Sequence, residues 1–131
     1  ASNTLTITSF TVDTTAPTVI STVPSDNSTS VYVGTNESSN IMIPTQSSFQ
    51  VTFSENINTN SIGGSLLLSS DNFTTCVKWH RSNVTQSYTL GMYTASNLSP
   101  STFYQLRVTT EVEDMAGNNL IQYTIGFTTG N

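Results

Sequence analysis

One histidine, one cysteine and eight carboxylates are the groups on which acid–base, nucleophilic or metal chemistry would rest in this chain of 131 residues. His80 would have to serve in any Ser-His-Asp or zinc-histidine arrangement. It stands in CVKWH, where an inward Trp79 leaves His80 facing outward beside Lys78 on an ordinary strand surface. Catalysis needs convergent groups, and this pattern supplies none, so the chain reads as a non-enzyme. A single cysteine excludes an internal disulfide and every Cys-based metal framework. Cys76 is expected to be a small buried hydrophobe.

The carboxylates divide in two ways. Glu111, Glu113 and Asp114 precede Ala116-Gly117-Asn118, with both glutamates on one strand face and Asp114 on the other. Solvated edge charge and a turn-capping aspartate are the ordinary meaning of that pattern. Calcium is the sharper alternative: Asp13, with Asp26 or Asp114, would offer hard oxygen ligands if they meet at one pole of the fold. No Asp-x-Asp-x-Asp run is present, so backbone oxygens would have to complete such a shell. No other cofactor is expected. Glu55, in FSEN, reads as a cap on the turn after a core strand.

These side chains must be positioned by strands. Ser, Thr and Asn fill the polar positions while only 8% of residues are charged. β-branched and aromatic residues favour pleated, half-buried strands, and the strong helix formers are scarce. A chain of this length makes one domain that buries about two thirds of its unfolded surface. The net charge of −5, with Lys78, Arg81 and Arg107 as its basic residues, cannot supply the phosphate contacts of nucleic-acid binding. No apolar run approaches the roughly 20 residues of a membrane span, so no membrane insertion by this segment is expected. Ala1 does not open a signal peptide, and any targeting segment is expected to have been removed or to lie elsewhere. Five Asn-x-Ser/Thr triplets carry no signal, because about a third of all residues are Ser or Thr and chance alone gives roughly four among thirteen asparagines.

Alternation with period two predicts strands over 5–12, 18–24, 48–54, 65–70, 74–81, 85–92 and 120–129, with a further strand through FYQLRV. Ser82-Asn83-Val84 reads as a hairpin that places Val77 and Trp79 across from Tyr88 and Leu90. Parity predicts a core of Val19, Phe49, Val51, Phe53, Leu66, Leu68, Trp79, Tyr88, Leu90, Tyr104, Leu106, Val108, Ile125 and Phe127, with Tyr123 also inward. Leu98 and Pro100 ahead of Tyr104 have the spacing of a tyrosine corner, in which the hydroxyl returns to backbone just upstream. Gly117 is available for a positive φ in its turn. Seven or more short antiparallel strands at this spacing make an all-β, Ig-like sandwich.

Four phrases, DTTAPTVISTVPSDNSTSV, FQVTFSENIN, NLSPSTFYQLRV and VEDMAGNNL…YTIGFTT, occur in order between Asp13 and Thr129. Together they resemble the bacterial Ig-like domain repeated in surface-layer and other large exported surface proteins. In that family one repeat commonly ends in Phe-Thr-Thr and the next begins Asp-x-x-x-Pro, here Asp13 to Pro17. The resemblance therefore implies a domain over 13–131. Residues 1–12 are either the tail of a preceding repeat or a leading edge strand of this sandwich. It further implies an extracellular or cell-surface location and neighbouring Ig-like repeats as partners. One departure stands out. Residues 34–47 form an insertion longer than the family pattern, with Ile41, Met42 and Ile43 apolar in a Ser/Asn-rich chain. Two functional readings follow: a structural spacer or stalk for adhesion, or a recognition module that binds a host surface protein or glycan through the 34–47 loop.

Overall fold

The computed structural model describes residues 12–31, 48–81, 88–95 and 97–130. Eight strands make two four-stranded sheets. They are β1 (Val19–Val23), β2 (Ser28–Val31), β3 (Ser48–Phe53), β4 (Leu66–Ser69), β5 (Trp79–Arg81), β6 (Thr89–Thr94), β7 (Phe103–Val108) and β8 (Tyr123–Thr129). One sheet has the order β1-β3-β6-β5 and the other β2-β8-β7-β4. Neighbours are antiparallel except β2 and β8, which run parallel. The helical content of the described residues is one 3-10 turn, Thr59–Ser61, capped by the Asn58 side chain.

Period-two alternation places the core. Phe49, Val51 and Phe53 on β3 face Leu106, Val108, Ile125 and Phe127 of the other sheet, and all of them are buried. Phe127 is the meeting point. Its ring centroid lies 5.5 Å from Phe49 across the sandwich and 5.9 Å from Tyr104, its cross-strand neighbour. Such aromatic pairs add to the stabilisation that burial alone provides.

Three residues expected to point inward, Tyr88, Trp79 and Tyr123, lie further out. Tyr88 is 39% exposed, because it precedes the first β3–β6 ladder pair, Thr52 with Thr89. Trp79 is half-buried, packed against the core from its edge strand, with Nε1 donating to the Leu66 carbonyl at 3.0 Å. The hairpin register also differs from expectation: Trp79 pairs with Thr94 and Arg81 with Met92. β6 is held by β3, where Val51 faces Leu90, and β5 must accept the register that this leaves. Tyr123 is 38% exposed at the start of β8. β2 has no counterpart among the expected strands.

Beyond β6 the chain turns at Ser99. Tyr104 Oη accepts from Ser99 N at 3.0 Å, and the buried Thr129 Oγ1 donates to the Ser99 carbonyl at 2.6 Å. One residue thus has both backbone groups held by side chains of adjacent strands. A fully buried backbone donor that loses its partner costs about 1–3 kcal/mol, and for this part-buried bond the lower end, about 1 kcal/mol, applies. Tyr104→Phe should lower stability by about that amount without shifting the slope of a denaturant titration, and an unchanged denaturation midpoint would remove this role.

Candidate functional site

Three carboxylates converge at the pole from which Asp13 leads toward β1. Oxygens of Asp13, Glu55 and Asp114 all lie within 4.8 Å of one another. Each arrives on a different segment: Asp13 ahead of β1, Glu55 just after β3, and Asp114 on the connection between β7 and β8. Tertiary contacts bring these segments together. Ile57 bridges Asp114, Asn58 N donates to the Glu113 carbonyl, Asn118 Nδ2 donates to the Asp13 carbonyl, and Ile121 N donates to the carbonyl of the buried Pro17.

Asp114 is the organiser. It is 1% exposed, with Oδ1 accepting from Ala116 N and Asn118 N, and Oδ2 accepting from Asn118 Nδ2 at 2.9 Å. Its carbonyl accepts from N of Gly117, which closes the turn at a φ of 90° that favours glycine. Burial works against the Asp114 charge, but the donors of Asn118 and Ala116 outweigh it and hold its carboxyl below the ordinary aspartate value. Glu55 has no comparable set of donors. Burial, followed by the charges of Asp13 and Asp114, pushes its carboxyl above the ordinary glutamate value. The pole therefore holds one well-satisfied carboxylate and one under repulsion. Calcium takes roughly six to eight oxygens, of which this trio would supply part.

Asp26, expected as an alternative partner of Asp13, lies outside the cluster. Its Oδ1 accepts from Gly126 N at 2.8 Å, while Asn27 N donates to the Gly126 carbonyl at 2.7 Å. Asp26 thereby fastens β2 to the middle of β8. Glu55, expected only as a turn cap, is the member that sequence reasoning did not assign to the cluster. No spacing rule relates residues 13, 55 and 114; the β1–β3 pairing together with the bonds from the β7–β8 connection to Ile57, Asn58 and Asp13 makes them neighbours.

The remaining candidates are dispersed. His80 is exposed on the outer face of β5, its ring 5.4 Å from that of Tyr93. Cys76 is exposed and free, contrary to expectation. Residues 74–78 lie outside any strand of the two sheets; Val77 takes the half-buried position and Cys76 and Lys78 point outward. A second ordered turn precedes them. Asp71 accepts from Ser69 Oγ at 2.6 Å and from Thr75 N and Oγ1, and these bonds lower its pKa to about 2. Ile41, Met42 and Ile43 lie outside the described residues, as does most of the leading segment 1–12.

Two facing sheets with a tyrosine-anchored corner and a parallel pair at one edge define the class: an Ig-like β-sandwich. Residues 13–129 match the bacterial Ig-like domain family, and the chain belongs to it. No curated protein matches the sequence. Among solved structures, the N-terminal part of the bacterial S-layer protein SbsC superposes with a TM-score of 0.59 at 16% identity. That match covers 88% of this chain and 24% of that one, so the chain spans about a quarter of its length. PcoC, a methionine-rich copper resistance protein from Escherichia coli, gives 0.59 at 18% identity and covers 88% and 99%. The LD transpeptidase LdtMt1, in complex with imipenem, gives 0.51 at 18% and covers 88% and 41%. At these identities the likeness is one of fold. Of this chain's methionines, Met92 is buried in the core and Met115 is exposed on the turn after Asp114.

The shifts at the acidic pole and in the Asp71 turn give stability a defined dependence on pH. Glu55 contributes most below its ordinary value of 4.5, and that contribution is lost as pH rises through its raised folded value. Asp71 and Asp114 act oppositely: their contribution is present above the ordinary 3.8 and is lost as pH falls, for Asp71 toward about 2. Glu55→Gln should therefore raise the thermal midpoint at neutral pH, with the gain fading on acidification past about pH 4. Parallel wild-type and variant midpoints across that range would argue against repulsion at this pole.

Proposed function

We propose that this chain is a structural Ig-like unit of an exported bacterial surface protein, a spacer or stalk element that holds other parts of its parent away from the cell. Family membership over 13–129 supports the surface location. The observation that carries the spacer reading is geometric. Asp13 and Pro17 are bonded to the connection that leads into β8, whereas Gly130, beyond the far end of β8, bonds to Val31 and Ser101. Chain entry and chain exit therefore lie at opposite ends of a seven-residue strand of about 23 Å. A unit with opposed ends extends a chain of units, while one with adjacent ends folds it back.

Force applied between those ends would load the edge where β2 runs parallel to β8. Pulling the N-terminal side of β2 against the C-terminal side of β8 shears their shared hydrogen bonds together. Asp26 and Asn27, both bonded to Gly126, fasten the same edge. Stiffness of this kind is what a spacer requires of its weakest edge.

The test is replacement. Exchanging residues 13–130 in the parent for an unrelated sandwich with equally opposed ends should preserve surface display and adhesion, whereas loss of adhesion with display intact would assign recognition to this domain. In single-molecule stretching, Asp26→Ala should lower the unfolding force of the domain, and an unchanged force would mean that the β2–β8 edge does not bear the load.

A further inference from the structure

We propose that the groove between the outer strands of the two sheets docks a second copy of this chain, and that the Met115 turn of that copy fills it. The groove lies between β4 and β5, each the last strand of its sheet among the described residues. It is an open depression of about 450 Å³ lined by Leu66, Leu67, Val77 and Trp79 together with Gly63 and Gly64, with Cys76, Lys78 and His80 beside them. Lys78, His80 and Arg81 are all exposed. In a chain with three Lys or Arg and a net charge of −5, two of the three basic residues stand within four positions on this edge. The groove is apolar inside and cationic at its rim.

The complementary surface is on the same chain. Met115, at the tip of the turn that follows Asp114, is 72% exposed. Glu111 and Glu113 lead into that turn, and the Asp13, Glu55 and Asp114 carboxylates lie behind it. Val12 and Ile121, 63% and 62% exposed, extend the apolar surface of this pole. An apolar tip among carboxylates thus matches an apolar groove among cations. The flexible thioether supplies the desolvated anchor, and opposite charges supply orientation and encounter rate. Cationic residues on an edge strand also deter strand-to-strand aggregation, a role that involves no particular partner surface. The proposed contact stands independently of the spacer reading.

Sedimentation of the whole chain over a concentration series tests it. Self-association is expected at about 20 mM salt and should recede at about 500 mM, where charges are screened within a few ångströms. Met115→Ser and the double variant Lys78→Glu, Arg81→Glu should each weaken it by about tenfold or more while leaving the thermal midpoint in place. Lys78 is the sole lysine. Zero-length carbodiimide coupling of mixed isotopically light and heavy chains should therefore join Lys78 of one copy to Glu111 or Glu113 of another, with no substitution needed. A monomer at every concentration, self-association indifferent to both variants, or links confined to single chains would each overturn the proposal. Binding of a polyglutamate peptide without self-association would overturn it too, by assigning the groove to another acidic partner.

Discussion

Phe127 is the side chain on which the two sheets depend. Its ring touches Phe49 of the facing sheet and stacks on Tyr104 of its own, so one aromatic joins the layers and fixes a cross-strand pair. Tyr104, placed by that stacking, presents its hydroxyl to Ser99, and Thr129, two residues beyond Phe127, holds the other side of Ser99. The corner that admits β7 is thus built from the same two strands that centre the core. Burial of large rings supplies most of the favourable energy here, and the hydrogen bonds decide where the chain turns.

The strands that carry this core were legible because their side chains alternate. Phe49-Val51-Phe53 and Tyr104-Leu106-Val108 can bury a face only as strands, and the structure has them so. Alternation says nothing about residues that close the ends of a sandwich. Ile57, Ile62, Leu98, Val112 and Leu120 are buried outside the strands, each turned inward by a local loop path. Nor does it set how far β5 runs along β6, since that register follows from β3 on the other side. Tyr88 departs for this reason, whereas the expected burial of Cys76 rests on the general habit of lone cysteines and gives way to the alternation with Val77 that turns it outward.

The acidic pole was legible in part. Asp114 and Gly117 declare a turn through local chemistry, since a short carboxylate before a glycine closes on its own backbone. Asp13 follows from the link that leads into β1. Glu55 becomes their neighbour only through tertiary structure, and its frustration is a property of three segments meeting. Asp26 shows the reverse case, because its backbone donor lies a hundred residues away and draws it to another edge. Carboxylates of identical type thus take opposite roles, one fastening strands and another repelling neighbours, according to the donors that the fold brings within reach.

β8 is paired on both sides and supplies the central aromatic, yet it is the last of the described strands in sequence. Its parallel partner β2 lies almost a hundred residues earlier, and such distant pairings form late and slowly. Until β8 is in place, β2 and β7 have no strand between them, and Phe49 has no Phe127 ring to meet. Without β8 the Phe127 ring is missing and β2 and β7 each lose a ladder partner, so this core closes only when the whole span from β1 to β8 is present.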